Sequence, residues 1–146
     1  MDPLLKPEAM LCFAIYSAGH AFNRAYRPLL KELELTYPQY LIMLLLWQRD
    51  GMTVKALGDR LFLDSGTLTP LLKRLETAGL VKRERDMRDQ RSVNILLTPE
   101  GQAMRERAAR VPQAMSEAIG RSEEERTSLQ REILRLRDML NAAALD

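Results

Sequence analysis

The chain has 146 residues, 46% of them hydrophobic and 29% charged, the make-up of a soluble globular protein with room for one domain or a domain carrying an oligomerisation appendage. Its formal charge is only +2, which excludes a polycationic coating protein and requires any nucleic-acid contact to come from a local basic patch. One Cys and one His exclude an intrachain disulfide and a protein-only zinc site. The longest apolar run, Leu41 to Trp47, is too short to span a bilayer, and Met1-Asp2-Pro3 opens no signal peptide, so a cytoplasmic protein without metal or other cofactor is expected.

The first predicted element is a long helix over residues 9–35, in which Leu11, Ile15, Ala18, Phe22, Ala25 and Leu29 keep the three-and-four spacing of one face. Pro28 lacks an amide donor, which predicts a kink or a break near Tyr26–Arg27. Thr36 can cap a second helix, Tyr37 to Gln48, with Pro38 in its first turn. That helix is apolar nearly all round and should be buried, with Trp47 in the core; Arg49-Asp50-Gly51 ends it.

Thr53 then caps a short helix bearing Val54, Leu57 and Leu61, and Asp64 and Ser65 offer capping oxygens to the next, striped by Leu68, Leu71, Leu72 and Leu75 and closed by Gly79. Two helices across a very short turn form a helix-turn-helix pattern. The period then changes from 3.6 to 2. Leu80 to Arg85 and Ser92 to Leu97 alternate around the charged stretch Asp86–Arg91, as a β-hairpin does. The module is therefore a winged helix over residues 37–97.

Thr98-Pro99 restarts helix, which runs towards Ile119 with a bend expected at Pro112. Ser122 and Glu125 mark the start of a last helix, whose Leu129, Ile133, Leu136 and Leu140 form a packing seam. The fold class is mainly α with a small β-hairpin wing. Residues 1–146 are read as one domain in which helices 9–35 and 99–144 flank the module, and a two-fold homodimer is the simplest way to cover their apolar faces.

From Lys73 to Arg91 there are seven basic and four acidic residues, so the positive charge concentrates at the presumed recognition helix and wing. The outward face of that helix carries Ser65, Thr67, Thr69 and Lys73, groups suited to phosphates and base edges. All eight aromatic residues lie between Phe13 and Phe62, and none from Ser65 to Arg91. Single strands and RNA call for stacking rings at the binding surface, so duplex DNA is the better target. A dimer would place two recognition helices about 34 Å apart on a pseudo-palindromic operator.

Cys12 sits on the first helix with Tyr16 one turn later on the same face. A lone cysteine is commonly an inert small hydrophobe. Yet four tyrosines crowd into residues 16–40, and phenol hydroxyls are donors able to stabilise a thiolate. Tyr26 follows Cys12 by fourteen residues, which is ~21 Å along a straight helix. A continuous helix thus keeps the two apart within one chain, while an antiparallel dimer interface could join them. His20 and the scattered methionines are read as an ordinary polar side chain and core filler.

From about Leu11 to Pro112 the sequence resembles the MarR family of winged-helix regulators, in particular its organic-hydroperoxide-sensing branch of one-cysteine members. The resemblance rests on Leu11-Cys12-Phe13 with Tyr16, on Tyr37-Pro38-Gln39-Tyr40, on Leu63 to Arg74, and on Asp89-Gln90-Arg91-Ser92-Val93. It implies that Cys12 is a peroxidatic cysteine, held as thiolate by Tyr26 and Tyr37 of the opposite subunit, with Tyr16 beside the sulfur. It implies that Arg91, braced by Asp89, enters the minor groove, and that Ser65, Thr67, Thr69, Pro70, Lys73 and Arg74 lie on the DNA-reading helix. An organic hydroperoxide would be the effector and a small thiol the partner in a mixed disulfide, since no second cysteine is present. Two other readings stand beside this one: a repressor released by a small aromatic ligand in the dimer cleft, with Cys12 structural, and a thiol peroxidase.

Overall fold

The computed structural model describes residues 5–143. Met1, Asp2 and Pro3, read for the N-terminus, and Ala144, the expected end of the terminal helices, lie outside the described residues. Two compact units divide after Val111.

The first unit opens with a 3-10 turn at Pro7–Ala9 and continues into α1 (Leu11–Lys31) and α2 (Tyr37–Gln48). It goes on through β1 (Met52–Thr53), α3 (Val54–Leu61), α4 (Ser65–Thr77), β2 (Val81–Arg85), β3 (Val93–Leu97) and α5 (Pro99–Ala108). The next helix, α6 (Arg110–Ile119), crosses the division, and α7 (Glu123–Ala142) belongs to the second unit. No helix among the described residues is long and apolar enough to cross a membrane.

Hydroxyl caps start most of these helices. The side chains of Thr36, Thr53, Thr98 and Ser122 accept from the amides of Gln39, Ala56, Gly101 and Glu125, each cap stabilising its helix by about 1 kcal/mol. At α2 the Gln39 side chain also accepts from the Thr36 amide at 2.9 Å, closing a reciprocal capping box that the 7% exposed Gln39 completes. Asp64 alone caps α4, through Thr67, and Ser65 is the first helical residue rather than a second cap.

Pro28 does not break α1, which stays helical to Lys31; of the kink or break expected near Tyr26–Arg27 the break is absent, and the helix also stops short of residue 35. The stop is a Schellman-type turn. Leu35 donates to Leu30 and Glu34 to Lys31, with Glu34 left-handed at φ 55° and the Leu30 and Leu35 side chains both buried. In the C-terminal run the interruption falls at Ala109, not Pro112. Pro112 has no amide for the Ala108 carbonyl and its ring crowds that oxygen, so the ladder fails one turn earlier than the proline itself.

The core forms around α2. Ile42, Met43 and Leu46 meet Leu57 of α3, Leu68, Leu72 and Leu75 of α4, and Ile95 of β3, all essentially without exposure. Burial all round α2 was expected, but Leu44 is 37% exposed, Gln48 is exposed, and Leu41, Leu45 and Trp47 are half-buried. The Trp47 indole N–H donates to the Gly101 carbonyl at 2.8 Å and ties α2 to α5. A Cβ at Gly101 would collide with the Leu80 carbonyl, so the close approach of α5 to the start of β2 requires glycine.

The sheet has the order β1-β3-β2, all antiparallel, with Val81 opposite Leu97 and Arg85 opposite Val93. The two-residue β1 was not foreseen. Asp50 accepts from the amides of Gly51 and Leu97 and fixes the loop that delivers β1 to the edge of β3.

Candidate redox site and nucleic-acid interface

Cys12 is exposed, the second residue of α1. Around it the helix shows Leu11 (64% exposed), Phe13, Ile15 and Tyr16 to solvent, an apolar surface left open among the described residues. Tyr16 packs edge-on against His20, ring centroids 4.5 Å apart, so the imidazole is engaged with a phenol.

Three turns further on, α1 and α2 bring three other tyrosines together. The Tyr26 ring lies 4.6 Å from that of Tyr37 and 5.9 Å from that of Tyr40. Burial raises the pKa of all three phenols, and the neighbouring phenols add to the effect at Tyr26 and Tyr40; for Tyr40 it is pushed up to about 12. Their hydroxyls therefore stay protonated, and remain donors, well above neutral pH. An open cleft of about 590 Å3 beside them is lined by His20, Tyr26, Arg27, Lys31, Thr36 and Tyr37 among others.

Of the residues assigned to the sulfur, the fold unites Tyr26 with Tyr37 and leaves Cys12 and Tyr16 at the other end of α1. Because α1 is continuous, about 21 Å of helix separates Cys12 from Tyr26. Tyr40 was not singled out from sequence; it is 2% exposed and its ring backs the pair. Its place in the run Tyr37-Pro38-Gln39-Tyr40, one helical turn after Tyr37, was the available signal.

The second constellation lies on α4 and the wing. Ser65, Thr67, Pro70, Lys73 and Arg74 are exposed on α4 and Thr69 is half-buried, while Leu68, Leu72 and Leu75 face the core. Asp64, held below the usual carboxylate range by the amide and hydroxyl of Thr67, keeps its charge at the positive end of this helix.

Side-chain caps shape the wing tip. Asp86 accepts from the Arg88 amide and Asp89 from the Arg91 amide at 3.0 Å, and the Asp86 amide closes onto the Ser92 carbonyl. Asp89 thus meets Arg91 through the main chain, and the exposed guanidinium extends from a backbone that the carboxylate holds in place.

A MarR family model matches residues 35–93, the stretch from the end of α1 to the start of β3. The chain is 50% identical over 137 residues to the transcriptional regulator TtmR of Methylorubrum extorquens, covering 94% of this chain and 70% of that one. It is 49% identical over 108 residues to the organic hydroperoxide resistance transcriptional regulator of Bacillus subtilis, covering 74% of each. Among solved structures, reduced AbfR bound to DNA superposes with a TM-score of 0.76 at 38% identity, over 89% of this chain and 91% of that one. AbfR, known from Staphylococcus epidermidis, has also been solved overoxidised on DNA. The chain belongs to the MarR family, whose members are DNA-binding transcriptional regulators and not enzymes.

Proposed function

We propose that this chain is a redox-switched repressor, which binds pseudo-palindromic duplex DNA as a homodimer and releases it when an organic hydroperoxide oxidises Cys12. The observation that carries this reading is the continuity of α1. Cys12 and the Tyr26–Tyr37 pair lie too far apart to meet in one chain, yet each has what the other lacks: an exposed sulfur on one side, protonated phenols beside an open cleft on the other. A two-fold axis that runs two α1 helices antiparallel brings them together and covers Leu11, Phe13 and Ile15 at the same time. The relative named for organic hydroperoxide resistance supports the choice of effector.

In this reading the Cys12 thiolate attacks one oxygen of the hydroperoxide. A sulfur–oxygen bond forms, the oxygen–oxygen bond breaks, and the departing alkoxide takes a proton and leaves as alcohol. Sulfur is oxidised to sulfenic acid and the peroxide is reduced. A small thiol can then condense with the sulfenic acid, releasing water and leaving a mixed disulfide. The phenols of Tyr26 and Tyr37, with Tyr16 adjacent, donate to the thiolate and hold the two α1 helices in the DNA-competent arrangement. Oxidation weakens those bonds. A 100-fold loss of operator affinity needs about 2.7 kcal/mol, within reach of two charge-assisted hydrogen bonds at about 1.5–3 kcal/mol each.

DNA is engaged by Ser65, Thr67, Thr69, Pro70, Lys73 and Arg74 in the major groove and by Arg91, set by Asp89, at the minor groove. The test is operator binding by the reduced protein before and after one equivalent of organic hydroperoxide, with Cys12→Ser alongside. Release by the wild type and retention by the variant is the expected result; equal behaviour of the two sinks the reading. The cleft lined by His20, Arg27 and Lys31 also favours a second reading, release by a small anionic aromatic ligand with Cys12 structural. In that case Cys12→Ser responds as the wild type does.

A further inference from the structure

A second cleft, of about 450 Å3, opens between the first turn of α3, the middle of α4 and the wing strands. Lys55, Arg83 and Arg91 supply three cations to its lining, Thr53, Thr69 and Ser92 supply hydroxyls, and no carboxylate lines it. Thr53 to Lys55 is also the start of α3, where helix amides add partial positive charge. One negatively charged oxygen group is the ligand that such a lining takes.

Two of the cations already hold an acid outside the cleft. Lys55 pairs with Asp59 one turn along α3 at 3.1 Å, both largely in solvent, a screened contact that is easily surrendered. Arg83 is held more firmly. Glu76, in the last turn of α4, accepts from the Arg83 amide through one oxygen and from its guanidinium through the other, each at 3.2 Å. That carboxylate is the one side-chain clasp between α4 and β2 among the described residues, and it offsets the charge of Arg83 where the cleft opens.

We propose that this cleft seats one backbone phosphate of duplex DNA, with Arg83 and Lys55 as its phosphate ligands, and that Glu76 sets the strength of the grip as a positioning residue that holds and partly neutralises Arg83. The inference rests on the DNA-binding half of the reading above and is independent of the redox half. A phosphate in this place carries no sequence information; it fixes the angle at which α4 and the wing straddle the backbone.

The experiment uses the reduced full-length protein, without peroxide. Affinity for the operator and for an unrelated duplex of equal length is measured between about 50 and 200 mM salt. Arg83→Gln is expected to weaken binding to both duplexes by about tenfold and to make the salt slope shallower by about one for each cleft engaged. Arg83→Lys restores most of that slope. Glu76→Gln, which can still accept from the Arg83 amide, is expected to tighten binding to both duplexes several-fold. Melting curves show that each variant is folded. An unchanged slope in Arg83→Gln, or a loss confined to the operator, overturns the phosphate seat; weaker binding by Glu76→Gln overturns the role of Glu76. If the wild type binds neither duplex, the DNA reading fails and takes the cleft with it.

Discussion

Between Ser65 and Arg91 the chain carries hydroxyls, charges and no aromatic ring, whereas six of its eight aromatic residues lie between Phe13 and Tyr40. The first region is finished within one chain. Its helix is capped by Asp64, its wing tip by Asp86 and Asp89, and its underside is sealed by Leu68, Leu72, Leu75 and Ile95. On the proposed reading, the second is half a site. Its sulfur faces solvent among exposed apolar side chains, and its phenols cluster about four helical turns away. A surface that reads a rigid external partner has to be preorganised in the monomer. A switch has to be made of parts that can separate, and the proposed reading divides them between two copies of the chain.

The largest expected effect tests that division. If Cys12 meets Tyr37 across the dimer, mixing Cys12→Ser with Tyr37→Phe protomers produces a heterodimer with one intact site, and sulfenic acid formation returns at up to half the wild-type amplitude. If the site were built within one chain, the same mixture would stay as slow as Tyr37→Phe alone. The single phenol deletions should slow sulfenate formation by about 10- to 100-fold, the cost of one donor to an anionic sulfur. Trapping the sulfenic acid with a dimedone-type reagent over time reads all of these.

The reading head is broken most directly from behind. Gly101→Ala drives a methyl into the Leu80 carbonyl, backbone against backbone, where α5 meets β2 and where Trp47 donates. A loss of about 1–3 kcal/mol is expected, the range for overpacking a closed contact. It should appear as a lower melting temperature and weaker DNA binding, with peroxide reactivity of Cys12 in the surviving folded protein unchanged. Loss of reactivity in step with folding would mean that the two regions are less separable than their construction suggests.

Most of the reading head was legible in the sequence. Hydroxyl caps at Thr36, Thr53 and Thr98, the glycine at Gly79 and the switch from period 3.6 to 2 are local signals, and each element they mark stands where they put it. Several misses fall where the backbone sets the structure with no diagnostic side chain at the position itself. The strand β1 is too short to show a period. The turns after α1 and α3 use left-handed Glu34 and Phe62 in place of glycine. The break at Ala109 comes from a proline one turn downstream. Around α1 and α2, the tyrosines could be counted but not arranged. Tyr40 is signalled only by its place one helical turn after Tyr37, and the clasp of Glu76 on Arg83 has no sequence spacing that announces it.

Alkali separates the regions more gently. A phenol whose folded pKa is raised favours the protonated form, so its contribution to stability is complete below the ordinary value near 10 and fades as pH rises through the folded value, about 12 for Tyr40. Stability should therefore fall between these two pH values. Ultraviolet difference spectra should show Tyr26, Tyr37 and Tyr40 ionising above the ordinary tyrosine range, because burial raises all three. Tyr40→Phe flattens the loss. A pH profile identical in wild type and variant would place the alkaline transition elsewhere.

The smallest effect lies at the junction of the two regions. Glu34 ends α1 in the left-handed conformation at φ 55°, where a side chain costs about 1 kcal/mol and glycine costs nothing. Glycine is also freer in the unfolded chain, which returns part of the gain. Glu34→Gly should therefore stabilise the protein by a few tenths of a kcal/mol up to about 1 kcal/mol. The flanking bonds, Leu35 to Leu30 and Glu34 to Lys31, are made by backbone and survive the change. Beside the turn, Glu32 holds α1 to the start of the C-terminal helices, its carboxylate on Arg110 at 2.9 Å and its carbonyl on Arg107 at 2.7 Å. The gain should persist in high salt, which screens the exposed Glu32–Arg110 pair but not a dihedral preference. A melting temperature that drops for Glu34→Gly would mean that the Glu34 side chain earns its strained position through a contact stronger than the strain.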